Sequence, residues 1–218
     1  MNPPEGAFTG TLMDFQQEGL GFLMHHDRCL LADEMGLGKT VQALSCIASE
    51  KAFPVLVIPP AHLVRNWQEE ALRFLRVEGR ALRIHVIRGL KPYDLPEADI
   101  YIMHYLLLRG WKSALTELTV RAVIFDEIQE CPNASTAIKF LVDDGRFDYI
   151  ESGSLLGVQY KQVPSYPLGY EEIYQMYPMD FEEFCIANGV QTSTLDYLRE
   201  CYEKQTPITD SIHQTMSN

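Results

Sequence analysis

"CLLADEMGLGKTVQAL", residues 29–44, decides the fold. It starts as an apolar run of strand length and ends in a segment with helical spacing, with two glycines, a lysine and a threonine between. A strand, a glycine-rich turn, Lys-[Ser/Thr] and a helix, in that order, form the context of a phosphate-binding loop. Gly36 and Gly38 let the backbone curl close to an anion, whose charge is met by loop N–H groups and the helix N-terminus. Lys39 then reaches the β and γ phosphates and Thr40 ligates magnesium, so ATP and Mg2+ are the expected cofactors. The nucleotide-binding candidates in this stretch are Asp33, Glu34, Met35, Gly36, Leu37, Gly38, Lys39 and Thr40. Asp33 stands where the usual G-x-x-x-x-G-K-[ST] spacing has its first glycine.

Outward from the loop, apolar runs of strand length alternate with helix-period segments. "CLLA" (29–32), "VLVI" (55–58), "RIHVI" (83–87), "IYIM" (100–103), "AVIF" (122–125) and "FDYIES" (147–152) are the candidate strands. "TVQALSCIASE" (40–50) and "HLVRNWQEEALRFL" (62–75) are helical, the second with Leu63, Trp67, Ala71 and Leu75 on one face. That spacing reads Trp67 as a core residue. Alternation of this kind implies a doubly wound α/β sheet. After about residue 153, "QVPSYPLGYEEIYQMYP" reads as an irregular connection. Two short helices follow, "MDFEEFCIANG" (started by Asp180 and stopped by Gly189) and "STLDYLRECYEK".

The second cluster of chemistry is "AVIFDEIQ", residues 122–129. A buried parallel strand ends here in two carboxylates, at the edge of the sheet where α/β folds bind ligands. Cleaving a phosphoanhydride with water needs a metal on the phosphate oxygens and a group that orients the water. Asp126 suits the metal together with Thr40, and Glu127 suits the water; Gln129 either senses the γ-phosphate or couples the site to a neighbouring surface. Glu127, Lys39 and Gln129 are therefore the catalytic candidates.

Composition limits the alternatives. The 218 residues carry a net charge of −12, unevenly spread. Residues 1–125 hold 13 Lys and Arg against 14 Asp and Glu, while residues 126–218 hold 5 against 16. An acidic second half repels nucleic acid, so a duplex DNA partner would meet the first half. The arginines between 65 and 88 admit two readings, a DNA-facing stripe or a solvated helix face diluted by Glu69, Glu70 and Glu78. Five scattered cysteines without a C-x-x-C pair fit reduced thiols better than a disulfide framework or a zinc site. With no basic-then-apolar start and no membrane-length apolar run, no membrane partner is expected and the location is read as cytoplasmic.

"DEMGLGKT" resembles, at all eight positions, motif I of the Swi/Snf-type superfamily-two helicase-like ATPases. "LMDFQQEGLGFL" (12–23), "VLVIPPAHLVRNWQEEALRF" (55–74) and "DIYIMHYLLL" (99–108) are similar to further motifs of that family. The resemblance implies that Gln16 reads the adenine edge, that residues 55–74 lie near a DNA backbone, and that a second lobe carries an arginine finger. His104 stands where that family commonly has a small hydroxyl residue, and it reads as a packed or exposed histidine rather than a base. From "FDEIQECPNA" onward the chain resembles prokaryotic AAA-type ATPases. "DEIQECPNASTAIKFLVDDGRFDYIESGSLLGV" looks like their carboxylate strand, the helix after it and a sensor strand ending in S-G-S, which implies γ-phosphate contacts from Ser152 and Ser154. "SYPLGYEEIYQMYPMDFEEF" (165–184) is similar to their next segment. An AAA-type ATPase implies self-association, with an arginine from a neighbouring copy.

The expectation is thus an α/β P-loop NTPase with a RecA/AAA-like parallel sheet flanked by helices. A nucleotide-binding domain over 1–160 has a Swi/Snf-like front to about 129 and an AAA-like back; a truncated, irregular and helical extension covers 161–218. The function expected is ATP binding with weak Mg-dependent hydrolysis. An oligomeric AAA-type ATPase and a recombined, non-enzymatic interaction module are the alternatives.

Overall fold

The computed structural model of the chain describes residues 6–26, 28–31, 33, 36–50, 52–131, 145, 148–153, 172–174, 177 and 180–209. The chain divides into two units, Met1–Met176 and Tyr177–Asn218.

Among its described residues the first unit has seven strands: β1 (Arg28–Leu31), β2 (Val55–Ile58), β3 (Ile84–Val86), β4 (Ile100–Ile102), β5 (Ala122–Phe125), β6 (Asp148–Ser152) and β7 (Glu172–Tyr174). They pair in the order β3-β4-β2-β5-β6-β1-β7, and every pair is parallel. Among the described residues, four helices accompany them: α1 (Asp14–His25), α2 (Lys39–Glu50), α3 (Val64–Phe74) and α4 (Leu108–Glu117). The continuous apolar runs become strands because both faces of the sheet are covered. In β2, Val55 and Val57 face a core that includes Leu20, Leu44, Ile47 and Trp67, while Leu56 and Ile58 face one that includes Tyr101, Met103 and Trp111. Side chains that alternate across the pleat thus supply two separate cores.

Two elements depart from the sequence reading. The stretch expected to be an irregular connection contributes β7, three residues beside β1. Its proline and glycine neighbours hide so short a strand, and the pairing to β1 supplies what local propensity does not. Helix α4 is a second unanticipated element, masked by Gly110 near its start. A Cβ on Gly110 would lie 2.1 Å from the Leu90 carbonyl oxygen, so the glycine admits a close backbone approach. Trp111 beside it donates from Nε1 to the Gly89 carbonyl at 2.8 Å.

Register positions the chemistry. Phe125 on β5 pairs with Glu151 on β6, and Ser152 pairs with Leu31 on β1. Asp126, Ser152 and the loop after β1 therefore emerge side by side at the carboxyl edge.

In the second unit, α5 (Phe181–Ala187) begins where the Asp180 side chain accepts the Glu183 N–H at 2.8 Å and the Glu183 side chain accepts the Asp180 N–H at 2.9 Å. Helix α6 (Thr192–Lys204) follows, and its Arg199 donates to Glu182 of α5 at 2.5 Å.

Four arginines of the 65–88 stretch have local hydrogen-bond or ion-pair partners. Arg80 makes a bidentate pair with the buried Asp99 at 2.5 Å, and Arg83 reaches both Glu97 (2.9 Å) and Asp99 (3.4 Å). Arg76 donates to the Leu72 and Leu75 carbonyls, and Arg65 pairs with Glu69 on the surface of α3. Burial alone would raise the Asp99 carboxyl. Hydrogen bonds from Arg80 and from the Arg83 N–H and guanidinium overcome it and hold the group down at about 2. A depressed carboxyl adds stability that is present above its unfolded value and lost as pH falls through its folded one. Asp99→Asn is expected to cost about 1–2 kcal/mol at neutral pH, discounted for the solvent-exposed guanidinium groups, and to lower the melting temperature by several degrees. Thermal melts from pH 6 to 2 should show the gap to the parent chain closing between about 4 and 2.

Candidate functional site

The loop after β1 is anchored before any ligand arrives. Asp33, fully buried where the common pattern has glycine, accepts the Lys39 Nζ proton on its carbonyl oxygen at 3.0 Å. Its carboxylate accepts Gln42 Nε2 at 2.8 Å from the next turn of α2. Asp33 is therefore a structural peg of the loop. Gln16, on α1, fastens the other side: Nε2 donates to the Leu37 carbonyl at 3.1 Å, and Oε1 accepts the Met13 N–H at 3.0 Å. Both ends of the amide that the resemblance directs at adenine are engaged within the chain.

Gly36 and Gly38 have φ of +87° and +77°, the left-handed region that favours glycine. They open onto a cavity of about 350 Å³ lined also by Lys39, Thr40, Val41, Leu63, Asn66, Glu70, Asp126 and Glu127. The loop lysine and threonine thus share one cavity with both carboxylates of "DEIQ". Sequence reasoning missed Leu63, Asn66 and Glu70, which lie in the turn before α3 and on the first two turns of the helix. Only the fold brings them to the loop.

Asp126 is 4% exposed and held on three sides. Trp67 Nε1 donates to Oδ2 at 2.7 Å, Ser152 Oγ donates to Oδ1, and the Tyr105 hydroxyl donates to the backbone carbonyl at 3.0 Å. Burial raises its carboxyl, against the hydrogen bonds of Ser152 and Trp67, with Glu127 adding to the rise and Lys39 opposing it. A raised carboxyl favours the protonated folded chain, and that advantage is lost as pH rises through its folded value. At neutral pH, therefore, a nearby cation stabilises the ionised group. Ser152, assigned from the sequence to the γ-phosphate, here braces the carboxylate.

Glu127 has φ +49° and ψ +53°, an uncommon conformation for a residue with a side chain. Its carboxylate accepts from Gln129 Nε2 and lies 3.9 Å from Lys39 Nζ. The buried Gln129 Oε1 has no hydrogen-bond partner among the described residues. Glu34, Met35 and Ser154 lie outside the described residues.

Among the described lining residues one cation, Lys39, faces three carboxylates: Glu70, Asp126 and Glu127. Such a cavity repels a polyanion unless a divalent cation enters with it. No group of three His, Cys, Asp or Glu among the described residues is arranged to hold a metal. One carboxylate, one hydroxyl and ligand phosphates suit magnesium, which keeps few protein ligands.

The two glycines offer an internal comparison. A Cβ on Gly36 meets nothing within 4 Å, whereas on Gly38 it lies 2.5 Å from Gln16 Nε2. Gly36→Ala is expected to cost about 1 kcal/mol of backbone strain, and Gly38→Ala about 2–3 kcal/mol with the Gln16 brace displaced. Chemical denaturation of both variants checks the order.

A family model described as an AAA domain matches residues 36–185. Chromatin remodeling factor mit1 of Schizosaccharomyces pombe is 31% identical over 159 residues, covering 64% of this chain and 11% of that protein. The SWI/SNF-related matrix-associated actin-dependent regulator of chromatin subfamily A-like protein 1 of Xenopus laevis is 46% identical over 137 residues, or 61% of this chain and 14% of that one. Among solved structures, the Sulfolobus solfataricus SWI2/SNF2 ATPase core domain superposes with a TM-score of 0.59 at 25% identity, covering 74% of this chain and 34% of that one. The same core in complex with dsDNA gives 0.56 at 27% identity, covering 71% and 34%. The chain thus spans about a third of the solved cores and 11–14% of these two curated relatives. The AAA match begins at Gly36, well ahead of "DEIQ", so it overlaps the Swi/Snf-like resemblance rather than only adjoining it. The fold is a RecA-like P-loop sheet similar to SWI2/SNF2 ATPase cores, and the chain belongs to the AAA domain family.

Proposed function

We propose that the chain binds Mg-ATP in the cavity between the loop and "DEIQ", and that by itself it hydrolyses the nucleotide slowly. The observation that carries this reading is the convergence of Lys39, Thr40, Asp126 and Glu127 on one cavity at the carboxyl edge of a parallel sheet. In this reading the N–H groups of residues 36–40 and the N-terminus of α2 receive the phosphates. Lys39 exchanges the Asp33 carbonyl and Glu127 for phosphate oxygens. Thr40 and Asp126 would hold magnesium, which supplies charge neutralisation at the phosphates. Glu127 orients a water and takes its proton, with Gln129 keeping the carboxylate in place. Gln16 serves first as a strut of the loop and has one N–H and one lone pair left for adenine.

Slow turnover follows from the charge of the cavity. Lys39 is the only cation among the described lining residues, and phosphoryl transfer gains large factors from an arginine delivered at the transition state. A SWI2/SNF2-like second lobe is one source, and the solved core in complex with dsDNA supports duplex DNA as the corresponding partner. Membership of the AAA domain family supports a second reading, in which a neighbouring copy supplies the arginine and the chain works as an oligomer.

Full-length protein separates these readings. ATP with Mg2+ at a hundredfold its Kd should raise the melting temperature by about 5–10 °C, and Lys39→Ala should remove the rise. Glu127→Gln should retain the rise while turnover falls to background. ATP-dependent assembly on sizing favours the oligomer, and a chain that stays monomeric favours the lobe. Rapid turnover by the monomer with duplex DNA, abolished by Lys39→Ala, would show a complete site and contradict slow hydrolysis. The absence of any ATP-dependent rise would refute the nucleotide reading itself.

A further inference from the structure

Trp67 does two jobs, one through its ring and one through its N–H. Trp67 is 1% exposed and packs into the core between the helices and the sheet, as its spacing with Leu63 and Ala71 predicts. Its N–H donates, across 59 residues of sequence, to the Asp126 carboxylate at 2.7 Å. A buried indole needs an acceptor, and a backbone carbonyl would satisfy it. Here the acceptor is instead a buried carboxylate of the ligand cavity. The donor sits on α3, which also lines that cavity through Asn66 and Glu70.

We propose that Trp67 is a positioning residue for the cation site: its indole N–H fixes the rotamer of Asp126, so that the remaining lone pairs of the carboxylate face Thr40 and the phosphate loop. Ser152 fixes the other oxygen, and neither donor alone defines the plane of the group. Partners that orient a metal-binding carboxylate change metal affinity substantially when removed. Because α3 carries the donor, the affinity for the cation is tied to the seat of α3 on the sheet. This inference rests on the reading that Asp126 holds magnesium.

Trp67→Phe in the full chain preserves the buried ring and removes only the N–H. The magnesium concentration for half of the ATP-dependent rise in melting temperature is expected to increase about tenfold or more, while ATP affinity in EDTA stays within about twofold. A purely structural role would lower the melting temperature of the unliganded chain and leave the magnesium requirement unchanged, and that result would overturn the proposal. Should Trp67→Phe not fold, the parent chain supplies a second measurement. It has two tryptophans, so its ¹⁵N indole spectrum has two N–H resonances, assigned with Trp111→Phe. The Trp67 resonance should move when Mg2+ is added to the ATP-bound chain and the Trp111 resonance should not; an unmoved Trp67 resonance would overturn the proposal. If ATP binding by the parent chain shows no magnesium dependence, the reading of Asp126 as a magnesium ligand is refuted, and this proposal with it, while a chain with no ATP-dependent rise at all refutes the nucleotide reading itself.

Discussion

Burying an ionised carboxylate at the end of a central strand is costly unless donors and a cation compensate it. At Asp126 the donors come from three places: Trp67 on α3, Ser152 on β6 and Tyr105 in the turn after β4. Each depends on the sheet. Ser152 faces Asp126 because β6 lies between β5 and β1 in a fixed register, and Trp67 arrives because α3 packs its apolar face on the strands. The compensation remains incomplete, as burial still raises the carboxyl. An incompletely compensated acid beside a phosphate loop is a place where a cation gains affinity.

The loop stands in a latched state. Lys39 lies on a backbone carbonyl and near Glu127, Gln42 holds Asp33, and Gln16 holds Leu37. These bonds give partners to polar groups of the loop and tie Asp33 and Leu37, on either side of Gly36, to α2 and α1. In the proposed reading, binding is an exchange of partners at Lys39 rather than the construction of a site. Asp33 illustrates how the departure from glycine is accommodated: its side chain is used to tie the loop to α2.

Much of the molecule was legible in its residues. The β2 and β5 runs were read to the residue, because strands covered on both faces leave unbroken apolar signals. The loop and the two carboxylates were legible because their chemistry demands those residue types in order. Trp67 was read correctly as core but incompletely, since hydropathy spacing reports where a ring goes and says nothing of where its N–H points. Asn66 and Glu70 were missed because their place at the cavity depends on the docking of α3, a tertiary event. Among the basic residues, Arg80 and Arg83 are committed to Asp99 and Glu97, partners too distant in sequence for local charge patterning to reveal. Strand β7 was missed for a similar reason, as its short run lies among prolines and glycines and only the pairing to β1 makes it a strand.

The account turns on whether the cavity between the loop and "DEIQ" receives the phosphates and cation together. The most direct measurement is a crystal structure of the chain with Mg2+ and a non-hydrolysable ATP analogue. It should show Lys39 Nζ moved from the Asp33 carbonyl to a phosphate oxygen and a cation between Thr40 and Asp126, with the Trp67 bond to Asp126 retained. A nucleotide bound elsewhere, or one seated in the loop while Asp126 faces no cation, would contradict the account.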